Sequence, residues 1–180
     1  MLSFPRWFAL IVVLQLALVL GLFGAKQLTL GTGQHLLLRV EPIDPVDFFR
    51  GEYVVLRYSL SELQSGWLEG PPPVKGETVY VSLGRSGRFV ERREVSRTPP
   101  KDAFAFLKGT VISADKNHCR VEYGIESWFV PRGKGPELER EGRRRDRQLI
   151  AEIAVDGSGH AVLRAVTVEP KRPVEAISTR

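Results

Sequence analysis

The chain has 180 residues, 43% of them hydrophobic, and 26 Lys plus Arg against 21 Asp plus Glu give a formal net charge of +5. That much apolar material excludes an intrinsically disordered chain, which lacks the surface to offset the entropy of folding. A single cysteine, Cys119, excludes an internal disulfide framework, so the fold rests on packing and hydrogen bonds.

Residues 1–6 form a short head that carries the N-terminal amine and Arg6. Residues 7–26 follow as a transmembrane anchor. Phe8 to Ala25 holds no charged residue, and Gln15 is its only strongly polar side chain. Eighteen helical residues rise about 27 Å, close to a hydrocarbon core of roughly 30 Å. Lipid offers the backbone no hydrogen-bond partners, so the segment must be helical. Trp7 stands at the entry, where an amphipathic ring suits the interface. A cleavable signal needs small residues at the last and third-last positions, and cuts after Ala25 or Gly24 would place Phe23 or Leu22 there. The reading is an uncleaved single-pass anchor with the head in the cytoplasm and the C-terminal domain outside, periplasmic or extracellular.

From Gln27 the texture changes to short β-branched and aromatic runs between Gly, Pro and Asp clusters, the pattern of an antiparallel β domain. QHLLLRVE (34–41) is the first expected strand. EYVVLRYSL (52–60) is read as one strand, with Val54, Leu56, Tyr58 and Leu60 facing the core and Tyr53, Val55, Arg57 and Ser59 facing away. Residues 65–77 contain three consecutive prolines and must be a loop. TVYVSL (78–83) and RFVERREV (88–95) flank a GRSG turn. Residues 103–115 and 118–124 pair around Lys116-Asn117, and SWFVP (127–131) is a short strand. GPELEREGRRRDRQ (135–148) is the one polar helix candidate, weakened by Gly142. QLIAEIAV and HAVLRAVTV form a hairpin across DGSG, and residues 171–180 read as a frayed tail. The fold class expected is mostly β. An N-terminal transmembrane helix precedes one antiparallel barrel or sandwich-like domain of eight or nine strands over residues 27–170, with one short helix.

The stretch RGEYVVLRY resembles the signature of the GDYXXLXY family, membrane-anchored proteins of unknown biochemical function. The chain supplies Gly51, Tyr53, Leu56 and Tyr58, and departs at Glu52, where the family name has Asp. VEPIDPVDFFRG, KGETVYVSL, FLKGTV, YGIESWFVP and AVDGSGHAVLRAV also resemble family segments, in order. The resemblance implies one N-terminal anchor, a mostly β extracytoplasmic domain and a polytopic membrane protein or envelope component as partner. It supplies no reaction and no catalytic residues.

The residues themselves offer candidate sites. Asp44-Pro45 favours a turn, because Pro fixes φ and Asp bonds nearby amides. Gly51 suits a backbone closed to residues with a Cβ. Arg50 and Glu52, two apart, share a face if a strand runs through them. The set Asp44, Arg50 and Glu52 is thus either a turn and strand entry or a ligand site, the first being the commoner outcome. Glu126 lies among Tyr123, Ile125, Trp128 and Phe129, where burial would raise its pKa; alternatively it accepts backbone amides at a turn. An acid/base pair drawn from Asp44, Asp47, Glu52 and Glu126 would make an envelope hydrolase if Glu52 and Glu126 met within about 10 Å. The membrane-anchored signal peptidases offer another template, but aligning Gly51-Glu52 with their Gly-Asp step puts Ile43 where the serine nucleophile belongs.

His35, His118 and His160 are scattered, and adjacent His118 and Cys119 point to opposite faces of a strand, so no metal and no cofactor are expected. The run Arg140–Gln148 would suit anionic lipid, but its interleaved Glu and Asp favour a solvated face. Nucleic acid is a poor partner on location alone. The reading reached is a non-enzymatic, membrane-anchored accessory domain that binds a membrane protein or envelope component. A hydrolase and a lipid-surface domain are the alternatives.

Overall fold

The computed structural model describes residues 6–41, 53–129, 144 and 146–171. A 27-residue helix, α1 (Arg6–Thr32), opens the chain. It is about 40 Å long at 1.5 Å per residue. Leu10, Leu14, Leu18 and Leu22 are all at least 65% exposed, and none of the apolar span is covered by protein. The helix is long and apolar enough to cross a membrane.

The helix runs six residues beyond Lys26. Its last turns belong to the domain: Thr29 is buried, and its hydroxyl reaches the Ala25 carbonyl (3.2 Å) and Asp156 (3.4 Å). The Gly33 amide closes the helix on the Thr29 carbonyl at 2.9 Å. The span and the β domain therefore share a helical joint.

The described chain then forms eleven strands: β1 (Gln34–Glu41), β2 (Tyr53–Val55), β3 (Arg57–Tyr58), β4 (Glu62–Gln64), β5 (Thr78–Ser86), β6 (Phe89–Ser96), β7 (Ala105–Ala114), β8 (His118–Glu122), β9 (Ser127–Phe129), β10 (Arg147–Val155) and β11 (Ala161–Pro170). All pair antiparallel. They make a five-stranded sheet (β4-β8-β7-β5-β6), a four-stranded sheet (β11-β10-β1-β3) and a two-stranded ribbon (β2-β9). The whole curls into a half-barrel. One cluster of buried side chains draws on all three sheets, including Leu38, Val54, Leu63, Val79, Leu107, Val121 and Ile153.

The patterning explains most strands. In β1, Leu36, Leu38 and Val40 are buried while Arg39 is exposed, the period-2 alternation of a half-buried strand. The β5–β6 hairpin is tighter than expected: Ser86 pairs with Phe89, so strand pairing runs into GRSG and leaves Gly87-Arg88 as the turn. The proline loop 69–77 is held by Arg97, whose guanidinium bonds Glu77 Oε1 (2.6 Å) and the backbone carbonyls of Glu69 and Pro71.

Two expectations need correction. Residues 52–60 are not one strand: the chain pairs with β9 through Val55, turns at Leu56, pairs with β1 through β3, and then enters a 3₁₀ turn at Ser59–Ser61. Strands that change partners make the corners of curled sheets. The short strand β4, unanticipated, pairs with β8. The polar helix expected over 135–148 falls mostly outside the described residues, and its end is strand: Arg147 and Gln148 open β10, opposite Pro170 and Glu169.

Candidate functional site

Asp44, Pro45, Arg50, Gly51 and Glu52 lie outside the described residues, as does the Glu52 half of the proposed carboxylate pair. Tyr53 opens β2 opposite Phe129. Leu56, Tyr58 and Glu126 are brought together at the corner.

At this corner two segments are stitched to each other. The Leu56 amide donates to the Glu126 carbonyl at 2.7 Å. The Tyr58 hydroxyl donates to the Ile125 carbonyl at 2.8 Å, and the Tyr123 hydroxyl donates back to the Leu60 carbonyl at 2.6 Å. The two tyrosines thus act as reciprocal bolts between residues 56–60 and the turn 123–126. Leu56, Tyr58, Leu60 and Ile125 are at most 2% exposed. Burial pushes both phenols far above their ordinary range, and the nearby Glu126 charge adds to it. They stay protonated as donors.

The turn depends on two glycines. Gly124 has φ +81°, which a residue with a Cβ rarely adopts, and lets the chain reverse between Tyr123 and Ile125. Gly109 on β7 lies under the Tyr123 ring: a Cβ there would come within 2.3 Å of Val121 Cγ1 and 2.8 Å of Tyr123 Cε1.

Both readings of Glu126 hold at once. Its carboxylate accepts the Tyr123 amide at 2.6 Å and so caps the turn. Burial nonetheless raises its pKa above the usual carboxylate range, and Glu122 pushes the same way; amides of Tyr123, Glu126 and Gly124 oppose them.

Beside the corner is a cavity of about 230 Å³. Leu56, Tyr58 and Glu126 are among the residues that line it, as are Ser61, Glu62 and Arg120. Arg120 pairs with Glu62 through Nε (2.9 Å) and Nη2 (2.8 Å). Ser61 is 8% exposed, and its hydroxyl oxygen has no hydrogen-bond partner. A buried hydroxyl without a partner is uncommon in a folded protein. A larger, open cleft of about 670 Å³ runs between β6 and residues 98–104 and includes Arg93, Lys101 and Asp102; it shares no lining residue with the first.

Sequence reasoning identified Leu56, Tyr58 and Glu126 but not Ser61, Glu62, Glu122 or Arg120. Nothing marks Ser61 in the sequence, because the 3₁₀ turn that buries it is set by the corner. Tyr123 was legible only as a neighbour of Glu126. His118 is exposed and Cys119 is buried, as opposite faces of β8 require. No group of three His, Cys, Asp or Glu suited to a metal occurs among the described residues.

The GDYXXLXY protein family model matches residues 15–166, which is 152 of the 180 residues, and the chain belongs to that family. No curated protein and no solved structure matches it.

Proposed function

We propose that this GDYXXLXY-family chain is a membrane-anchored, non-enzymatic accessory protein. Its β domain lies on the extracytoplasmic side and docks a membrane protein or envelope component at the cavity beside the signature corner. The observation that carries this reading is the use made of the signature. Leu56 fills the core at the point where the strand changes partners, and Tyr58 bolts that strand to the 123–126 turn. Leu56 carries no reactive group and the Tyr58 hydroxyl is engaged by the Ile125 carbonyl, so these side chains serve as a wall for a cavity.

The anchor supports the placement. Arg6 and the N-terminal amine precede the span, which favours a cytoplasmic head. The helical joint through Thr29 and Asp156 then holds the domain close to the bilayer, where a membrane partner is within reach.

The test is site-specific photo-crosslinking of the full-length chain in its native membrane. A crosslinker at Glu41, on the cavity rim, should give a discrete adduct. The same group at Lys101, in the other cleft, should not. Equal labelling at both positions, or none at Glu41, would overturn the docking reading.

A further inference from the structure

We infer that the rim of the β domain beside the anchor, formed by Phe104 and Arg85, rests on the bilayer surface, with the ring among the headgroups and the guanidinium on a lipid phosphate. The inference rests on α1 as the span and is independent of the docking cavity.

Length sets the height of the domain. The apolar helix covers Trp7–Thr32, 26 residues, which rise about 39 Å at 1.5 Å each. A bilayer with its headgroups is roughly 40–45 Å thick. With Trp7 at one interface, the helix ends near the outer edge of the opposite headgroup layer. No linker follows. Gly33 alone separates α1 from β1, and a Cβ there would lie 2.4 Å from the Thr29 carbonyl and 3.0 Å from that of Val155. The domain therefore begins at the headgroups.

Strand register decides which end of the domain is nearest the bilayer. β10 runs antiparallel to β1, with Gln34 opposite Val155 and Arg39 opposite Ile150. The β10–β11 turn, residues 156–160, thus lies at the helix end of the ladder, and Thr29 reaches it through Asp156 at 3.4 Å. Gly159 of that turn packs on β7. Its carbonyl accepts the Lys108 amide at 2.8 Å, and a Cβ on it would meet the Phe106 ring at 2.6 Å. Phe104 stands two residues before Phe106. It also lines a cavity of about 250 Å³ together with His35 and Leu36, the second and third residues of β1. Two separate ties thus place Phe104 at the anchor end.

The chemistry of this rim suits a lipid surface. Phe104 is 41% exposed, and the Arg85 guanidinium lies over its ring, 4.5 Å from the centroid. The other cations lining the cavity are engaged: Arg88 pairs with Glu169, and His35 with Glu152. Arg85 makes no ion pair with a described residue. A guanidinium over a ring still presents the donors of its fork, which match phosphate oxygens. An exposed aromatic ring beside a cation is the composition of surfaces that lie in the headgroup layer.

The experiment uses the full-length protein in nanodiscs of phosphatidylcholine and phosphatidylglycerol. p-Benzoylphenylalanine replaces Phe104, Leu16 or Lys116 in turn, and lipid adducts are read by mass spectrometry after irradiation. Leu16 lies within the span and reports the anchor; Lys116 follows the opposite end of β7 and is the control. Phe104 and Leu16 should give lipid adducts and Lys116 should not. Arg85→Glu should lower the Phe104 adduct about fivefold or more and leave the Leu16 adduct unchanged. Lys116→Glu, the same change of charge at the far end, should leave the Phe104 adduct unchanged. Arg85 and Lys116 are exposed, so neither change disturbs the core. No lipid adduct at Phe104, equal adducts at Phe104 and Lys116, or a wild-type yield in Arg85→Glu would overturn the inference. If Leu16 gives lipid adducts and Phe104 gives none, the anchor stands and the rim contact falls. If Leu16 gives none, α1 is not the span and both fall.

Discussion

Tyr58→Phe isolates a single hydroxyl at the signature corner. The ring stays, so no cavity opens; what disappears is the 2.8 Å bond to the Ile125 carbonyl. Tyr58 is 1% exposed and Ile125 0%, so water has little access to the abandoned carbonyl. Leaving a buried acceptor unpaired costs roughly 1–3 kcal/mol, more than the net worth of an ordinary hydrogen bond. At about 3 °C per kcal/mol for a chain of this size, Tm should fall by roughly 3–9 °C. Tyr58→Ala also removes the ring and should cost about 3–5 kcal/mol. Urea unfolding of the full-length protein in micelles, followed by the fluorescence of Trp67 and Trp128, which pack on the core, reads the difference. The cycle with Tyr123→Phe adds a second check. The two hydroxyls bind opposite sides of one corner, so their losses should be non-additive by at least about 0.5 kcal/mol. A Tyr58→Phe protein within 0.5 kcal/mol of wild type, at unchanged m-value, would refute the bolt as the reason for tyrosine at this position.

Four further outcomes follow from the same geometry. Gly109→Ala forces a Cβ against Val121 and the Tyr123 ring and should lose about 1–3 kcal/mol by overpacking, read as a lower urea midpoint; an unchanged midpoint would count against the close approach. Glu126 has a raised folded-state pKa, so the folded state holds its proton to higher pH than the unfolded state does, and the ionised group costs stability as pH rises above the ordinary carboxylate value. Glu126→Gln keeps an acceptor for the Tyr123 amide, and its advantage over wild type should grow from pH 4.5 to pH 7.5; a constant or shrinking difference would contradict the burial of this charge. Ser61→Ala deletes a buried, unpartnered hydroxyl and should stabilise the free protein by up to about 1 kcal/mol in thermal melts, whereas a clear loss would mean that the hydroxyl is satisfied. Leu16→Arg places a charge near the middle of the apolar helix and should cost about 2.5–3.5 kcal/mol of insertion, seen as loss from the membrane fraction; full retention would argue against α1 as the span.

The sequence alone determined the elements whose cause is local. The uncharged run from Phe8 to Ala25 is long and apolar enough to cross a membrane, which length and composition alone decide. Alternation in residues 34–41 needs only the two-residue period of a strand, and the long hairpin across DGSG needs only two apolar, β-branched runs and the turn chemistry of Gly and Asp. The same period correctly put Val54, Leu56, Tyr58 and Leu60 inside, and the family signature was legible as a string. What the tertiary structure decided is everything that depends on which strand lies beside which. The run through residue 58 alternates like one strand, yet it changes partners at Leu56, because side-chain period is blind to pairing. β4 and the 3₁₀ turn at Ser59–Ser61 exist because that corner brings them against β8. Glu126 drew notice for its aromatic neighbours, but the burial that raises its pKa is made by the folded corner, and its turn is tied to residues more than sixty positions away through Tyr58 and Tyr123. Ser61 shows the limit most plainly. A serine in a sequence carries no sign of burial or of a missing partner, since both are properties of the space that distant strands enclose.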